Sequence, residues 1–176
     1  MPSVKETAYF ALLTLIKERA YRKGEFKLSS GKVSQHYVNC KPVILNGNAL
    51  DLTATMLLKY VDTPVVAGLT LGADPLVAGV AMKGGLDGLI IRKEPKGHGT
   101  GAWIEGPSHP EGTKVTVLED VVTTGGSSLK AVDKLREAGY VVDRVVTIID
   151  RKEYEPFTWF NKQVELYSLY TIEDLS

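Results

Sequence analysis

The sequence predicts an α/β fold: a mainly parallel sheet flanked by helices, with a small strand-containing hood near the N-terminus. Three observations predict it. Beyond residue 64, short, almost purely apolar runs alternate with stretches of helical periodicity. Strands that are apolar on both faces belong in a sheet that helices cover on both sides. Residues 26–43 instead carry short, partly alternating stretches broken by Ser29, Ser30 and Gly31, as a strand pair lying over the main body would. Finally, a chain of 176 residues, 44% of them hydrophobic, can bury roughly 70% of its unfolded surface in one core, so a single domain, 1–176, is expected.

Each element has its own local reason. Residues 4–20 set Tyr9, Leu12, Leu13 and Ile16 on one helical face, and Ser3 followed by Glu6 forms a capping box. The hood spans about 20–45. Asn46 or Asn48 then caps a helix running to about Tyr60. There follow a strand at 65–68, a helix at about 74–83, and strands at 88–91 and 115–118. A helix at 127–138 ends at Gly139, residues 141–149 form the next strand, and 163–170 read as a closing strand. No internal repeat or low-complexity tract interrupts this order.

Composition excludes several classes of function. Lys and Arg number 21 and so do Asp and Glu, a zero balance that argues against nucleic acid as a partner. Cys40 is the one cysteine, which removes disulfide scaffolds and Cys-rich zinc sites and fits a reducing cytoplasm. Lys5, Glu6, Lys17, Glu18 and Arg19 interrupt the N-terminal segment, so an export signal is not expected. The longest apolar stretch, 64–82, contains Asp74, Pro75 and three glycines, so it reads as strand, turn and helix and no membrane partner is expected.

The segment richest in chemistry is Lys114-Val-Thr-Val-Leu-Glu119-Asp120-Val121-Val122-Thr123-Thr124-Gly125-Gly126-Ser127-Ser128. An apolar strand leads into two acids and a turn of small residues that opens a helix. Ligands of open α/β sheets bind beyond the carboxyl ends of strands, and exposed N–H groups at a helix start suit a phosphate. The paired acids can accept hydrogen bonds from vicinal ribose hydroxyls or hold a hydrated Mg2+, which points to a sugar phosphate. A capping turn explains any one of these residues but not their ordered combination. The Gly-Lys-Thr ending of a nucleotide-triphosphatase loop is absent.

A second segment, Ile90-Ile91-Arg92-Lys93-Glu94-Pro95-Lys96-Gly97-His98-Gly99-Thr100-Gly101, runs on to Glu105 and Gly106. A solvated basic loop is the plain reading. Its cations and histidine among Gly and Pro also suit a mobile catalytic loop, 92–106, closing over a polyanion. The spacing of its glycines does not match a dinucleotide fingerprint.

Residues 119–128 resemble the phosphoribosyl-diphosphate-binding motif of type I phosphoribosyltransferases. The run 92–99 resembles the mobile loop of the orotate phosphoribosyltransferase family. Phe26-Lys27-Leu28-Ser29-Ser30-Gly31-Lys32-Val33-Ser34, Gly68-Leu69-Thr70-Leu71-Gly72-Ala73-Asp74-Pro75 and Asp150-Arg151-Lys152-Glu153 keep that family's order. The resemblance implies a type I phosphoribosyltransferase-like sheet. It implies transfer of the phosphoribosyl group from 5-phosphoribosyl 1-diphosphate to orotate in pyrimidine (UMP) biosynthesis, with Mg2+ as cofactor. A transferase for another base and a non-catalytic donor-sensing regulator are the alternatives.

Residue by residue, the resemblance gives Glu119 and Asp120 the ribose hydroxyls. Val121, Val122, Thr123, Thr124, Gly125, Gly126 and Ser127 complete the donor motif, whose turn cradles the 5′-phosphate. Arg92 contacts diphosphate within a subunit. Lys93, Lys96 and His98, the catalytic set, also bind the donor and close over the neighbouring subunit's site, which implies a homodimer. Thr123, Arg151 and Tyr37 bind orotate, and no metal ligand is assigned. The chain departs from some branches of the family at Ser29 and Gly72, where those carry lysines, and at Val38, where another aromatic residue is common.

Overall fold

The structure, a computed structural model, describes residues 4–27, 33–95, 102–155 and 157–176. Helix α1 (Val4–Arg19) buries Leu12 and Ile16, with Glu6 in its first turn and Lys17 and Arg19 in its last, the charge placement that suits the helix dipole. Ser3 of the expected capping box lies outside the described residues. Strands β1 (Tyr21–Lys27) and β2 (Val33–Val38) pair antiparallel as the hood. The pair therefore starts and stops earlier than its sequence pattern suggested. Residues beyond it turn into a short helix, α2 (Lys41–Ile44), because Pro42 suits a helix start and Val43 and Ile44 bury there. Asn46, rather than Asn48, caps α3 (Gly47–Leu57), its side chain accepting the Ala49 N–H at 3.1 Å.

The main sheet comprises β3 (Val65–Leu69), β4 (Asp87–Ile91), β5 (Ile104–Glu105), β6 (Lys114–Val122), β7 (Val141–Asp150) and β8 (Glu165–Thr171). Its order is β5-β4-β3-β6-β7-β8, parallel throughout except for β5, the short edge strand that pairs antiparallel with β4. Helices α4 (Asp74–Gly84), α5 (Gly126–Glu137), α6 (Thr158–Asn161) and α7 (Ile172–Leu175) complete the chain.

Alternate residues of the buried strands feed two cores. Leu118, Val146 and Ile148 pack with Leu12, Ile16, Leu57 and Leu76 on one face, while Val115, Val117 and Val145 pack with Ala131, Leu135 and Trp159 on the other. This is the covered parallel sheet that the apolar runs called for. Two further differences bear on the site: β5, too short to leave a periodic signal, is an added edge strand, and β6 continues to Val122, so Glu119 and Asp120 lie inside the strand. Among the described residues no helix is long and apolar enough to cross a membrane.

Candidate active site

Parallel strands bring their carboxyl ends to one edge, and several of the expected functional residues follow those ends. Thr70, Leu71 and Gly72 follow β3, Lys93 follows β4, the acids and the small-residue turn lie at the end of β6, and Arg151 follows β7. A cleft of about 290 Å³ at this edge is lined by Lys41, Gly72, Lys93, Glu119, Asp120 and Ser127, among others. A depression of about 40 Å³ beside it is lined by Glu119 and residues 121–128. A larger cavity, about 670 Å³, opens at the amino ends of β7 and β8 around Asp143, Arg144 and Glu165, remote from these groups.

The phosphate-type turn is shaped by Gly125, whose φ of +81° lies in the left-handed region. The turn also rests on Trp159: a Cβ at Gly125 would come within 2.8 Å of the indole. The first bond of α5 runs from Leu129 N–H to the Gly125 carbonyl at 2.9 Å. The N–H groups of Gly126, Ser127 and Ser128 therefore precede the helical ladder and stand ready for an anion.

The two acids occupy different environments. Glu119 is 6% exposed and accepts a hydrogen bond from the Ser128 hydroxyl at 3.1 Å. Burial first, and the neighbouring Asp120 charge second, push its carboxyl up to about 8. Asp120 is half-buried, accepts the Val121 N–H at 3.0 Å and faces the loop after β3. A Cβ at Gly72 would lie 2.8 Å from its Oδ1, so glycine is what lets that loop pass so close. The loop is braced by the Thr70 hydroxyl, which donates to Asp74 Oδ2 at 2.8 Å.

At the base of the expected catalytic loop, the Arg92 N–H donates to the Trp103 carbonyl at 2.8 Å. The Arg92 guanidinium meets Glu105 at 3.3 Å, so it is engaged with the loop's other end, while Lys93 lines the cleft. The Lys93 carbonyl accepts from Lys130 of α5 at 2.7 Å, and Lys130 and Lys134 also lie over the Trp103 ring. Lys96 and His98 lie outside the described residues.

Arg151 is 7% exposed, and its backbone N–H donates to the Val122 carbonyl at 2.9 Å, beside Thr123. Its Nη2 donates to Ser34 Oγ at 2.9 Å and to Glu153 Oε1 at 2.5 Å, while its buried Nε has no partner. Asp150 shapes the turn that follows, accepting the Lys152 N–H and the Tyr154 hydroxyl, each at 2.8 Å. Burial and that hydrogen bond push the Tyr154 hydroxyl up to about 12. Tyr154 meets Trp159 edge to face, joining this turn to the wall behind Gly125.

Tyr37 is grouped differently from the other expected acceptor residues. Alternation along β2 leaves Val33, Gln35 and Tyr37 exposed and Ser34 and His36 half-buried. Tyr37 packs against Phe26 at a tilt, their ring centroids 5.3 Å apart, whereas Ser34 accepts a hydrogen bond from Arg151. Sequence reasoning missed Lys41, Ser34, Glu153 and Trp159 as parts of this site. Ser34 and Glu153 stood inside quoted motifs without a role, and Lys41 and Trp159 carry no local signal at all.

No family model matches the chain. Its sequence is 51% identical over 171 residues to the orotate phosphoribosyltransferase of Thermosynechococcus vestitus, an alignment covering 93% of this chain and 90% of that one. The chain belongs to the orotate phosphoribosyltransferase family. It is thus an enzyme of the pentosyltransferase kind, with a type I phosphoribosyltransferase fold. The crystal structure of Mycobacterium tuberculosis H37Rv orotate phosphoribosyltransferase in complex with Fe(III) dicitrate superposes on the enzyme with a TM-score of 0.83 at 32% identity, covering 96% of this chain and 99% of that one. The same M. tuberculosis protein in complex with 5-phospho-α-D-ribosyl 1-diphosphate gives a TM-score of 0.79 at 29% identity, over 96% and 98% of the two chains.

Proposed function

We propose that the enzyme transfers the phosphoribosyl group of 5-phosphoribosyl 1-diphosphate to N1 of orotate, yielding orotidine 5′-phosphate and diphosphate for UMP synthesis. The observation that carries this reading is the meeting, at one sheet edge, of an anion-binding turn, a pair of acids and a buried arginine with an unpartnered N–H. The turn from Thr123 to Ser127 takes the 5′-phosphate, and Glu119 and Asp120 take the ribose hydroxyls. Arg151 presents its buried, unpartnered Nε–H to an oxygen atom of the acceptor, and its permanent positive charge suits an anion. Thr123, beside it, contacts the base, and Tyr37 serves as a hood-side contact.

The bond from ribose C1 to the diphosphate oxygen breaks as the bond to N1 forms, N1 gives up its proton to a basic oxygen of the departing diphosphate, and negative charge gathers on that group. Lys93, Lys96 and His98 stabilise that charge from the loop, as fixed cations do best where water is excluded. Arg92 joins them after leaving Glu105. Among the described residues no group of three or more His, Cys, Asp or Glu side chains is placed to hold a metal by itself. The site does fit a Mg2+ that arrives with the donor, because that ion keeps several waters and binds phosphate oxygens with only one or two carboxylates. Asp120, half-buried in the cleft, is the carboxylate that would hold it, and the ion would offset diphosphate charge. The working form is a cytoplasmic homodimer in which each loop serves the partner's site.

Mixing the protein with orotate, 5-phosphoribosyl 1-diphosphate and Mg2+ tests this reading through loss of orotate absorbance. Folded protein that leaves the absorbance unchanged refutes it. Competition with uracil and purine bases separates orotate from other acceptors.

A further inference from the structure

We infer that Ser34 and Glu153 are positioning residues for the acceptor, holding Arg151 through Nη2 alone and leaving its buried Nε for the incoming ligand. This rests on the proposed assignment of Arg151 to the acceptor and adds how the arginine is aimed.

A guanidinium carries five N–H donors, and here the protein uses the two on Nη2, at 2.9 Å to Ser34 Oγ and 2.5 Å to Glu153 Oε1. Nε is buried and unpartnered, in a side chain only 5% exposed. Native proteins rarely leave a buried N–H without an acceptor, so this one calls for an oxygen the protein does not supply.

Ser34 is saturated. Its hydroxyl donates to the His36 carbonyl at 3.0 Å and accepts from the His36 N–H at 3.2 Å and from Arg151. One donor and two lone pairs are all in use, so Ser34 has no capacity left for a ligand and acts through Arg151. The contact also ties β2 of the hood to the carboxyl end of β7, 117 residues away. Glu153 supplies the counter-charge that keeps a buried guanidinium paired while the site is empty. Its own side chain is 37% exposed, so it keeps contact with water while Arg151 does not. The ligand chemistry that fits is an anion that brings one acceptor oxygen to Nε, as the carboxylate or a ring carbonyl of a carboxylated ring does.

The test is steady-state kinetics, with each substrate varied, on Ser34→Ala, Ser34→Thr, Glu153→Gln and Arg151→Ala and on the double variants carrying Arg151→Ala. Arg151→Ala raises the orotate KM more than tenfold, and Ser34→Ala and Glu153→Gln each raise it about fivefold with the donor KM within about twofold. Ser34→Thr, which keeps the hydroxyl, stays near the parent. In the Arg151→Ala background the other two substitutions add less than about twofold, because they act through the arginine. Unchanged orotate KM in both Ser34→Ala and Glu153→Gln, equal losses for both substrates, or effects that multiply with Arg151→Ala overturn the positioning role. An unchanged orotate KM in Arg151→Ala itself overturns the acceptor assignment instead. Thermal melts accompany each variant, and the exposed Glu153 provides a second variant if Ser34→Ala does not fold.

Discussion

Replacing Glu119 by Gln tests whether the ligand-free site stores a proton. The Glu119 carboxyl is pushed up from 4.5 to about 8 by burial and by Asp120. Between those values the folded protein holds a proton that the unfolded chain has released, so stability is fully present below about 4.5 and is lost as pH rises toward 8. One proton corresponds to a decline of about 1.4 kcal/mol per pH unit in the middle of that window, and a total of a few kcal/mol. Glutamine keeps the shape and cannot ionise, so Glu119→Gln lacks this component and gains on the parent as pH rises. The assay is urea unfolding of both ligand-free proteins from pH 5 to 8.5. The reasoning fails if the parent's stability relative to Glu119→Gln stays constant or rises across that range. Donor binding offers a second readout: a ribose whose hydroxyls donate to Glu119 favours its charged form, so binding at pH 7 releases protons, which calorimetry in buffers of different ionisation heat detects.

Three further outcomes follow from the same site. Lys96→Ala, at a position outside the described residues, lowers kcat by about 100-fold or more and weakens donor binding less; unchanged turnover removes Lys96 from catalysis. Gly125→Ala meets both a φ of +81° and the Trp159 ring at 2.8 Å. It costs about 1–3 kcal/mol in urea unfolding and raises the donor KM, and an unaltered midpoint and KM contradict the account of the turn. Lys41→Ala removes a cation that lines the cleft proposed for the donor and raises the donor KM about fivefold, with the orotate KM nearly unchanged and the effect smaller at high salt. Equal losses for both substrates contradict that placement.

The turn between β6 and α5 was legible because its determinants are contiguous: apolar strand, acids, small residues and helix follow one another within 15 residues of chain. The sheet was legible for a similar reason, since each buried strand is a short apolar run. What escaped depends on distance or on a boundary. No local pattern tells which hydroxyl meets Arg151, and Ser34 does so from 117 residues away. Trp159 supports Gly125 from a segment with no recognisable motif. The split between the two acids depends on a boundary. If β6 ended at Leu118, Glu119 and Asp120 would belong to a turn and share its solvent. Because the pleat continues to Val122, successive side chains take opposite faces. Glu119 goes under α5 to Ser128, and Asp120 goes to the loop at Gly72. Four residues of strand length thus turn two adjacent, chemically similar carboxyls into one that holds a proton near neutral pH and one that faces the cleft.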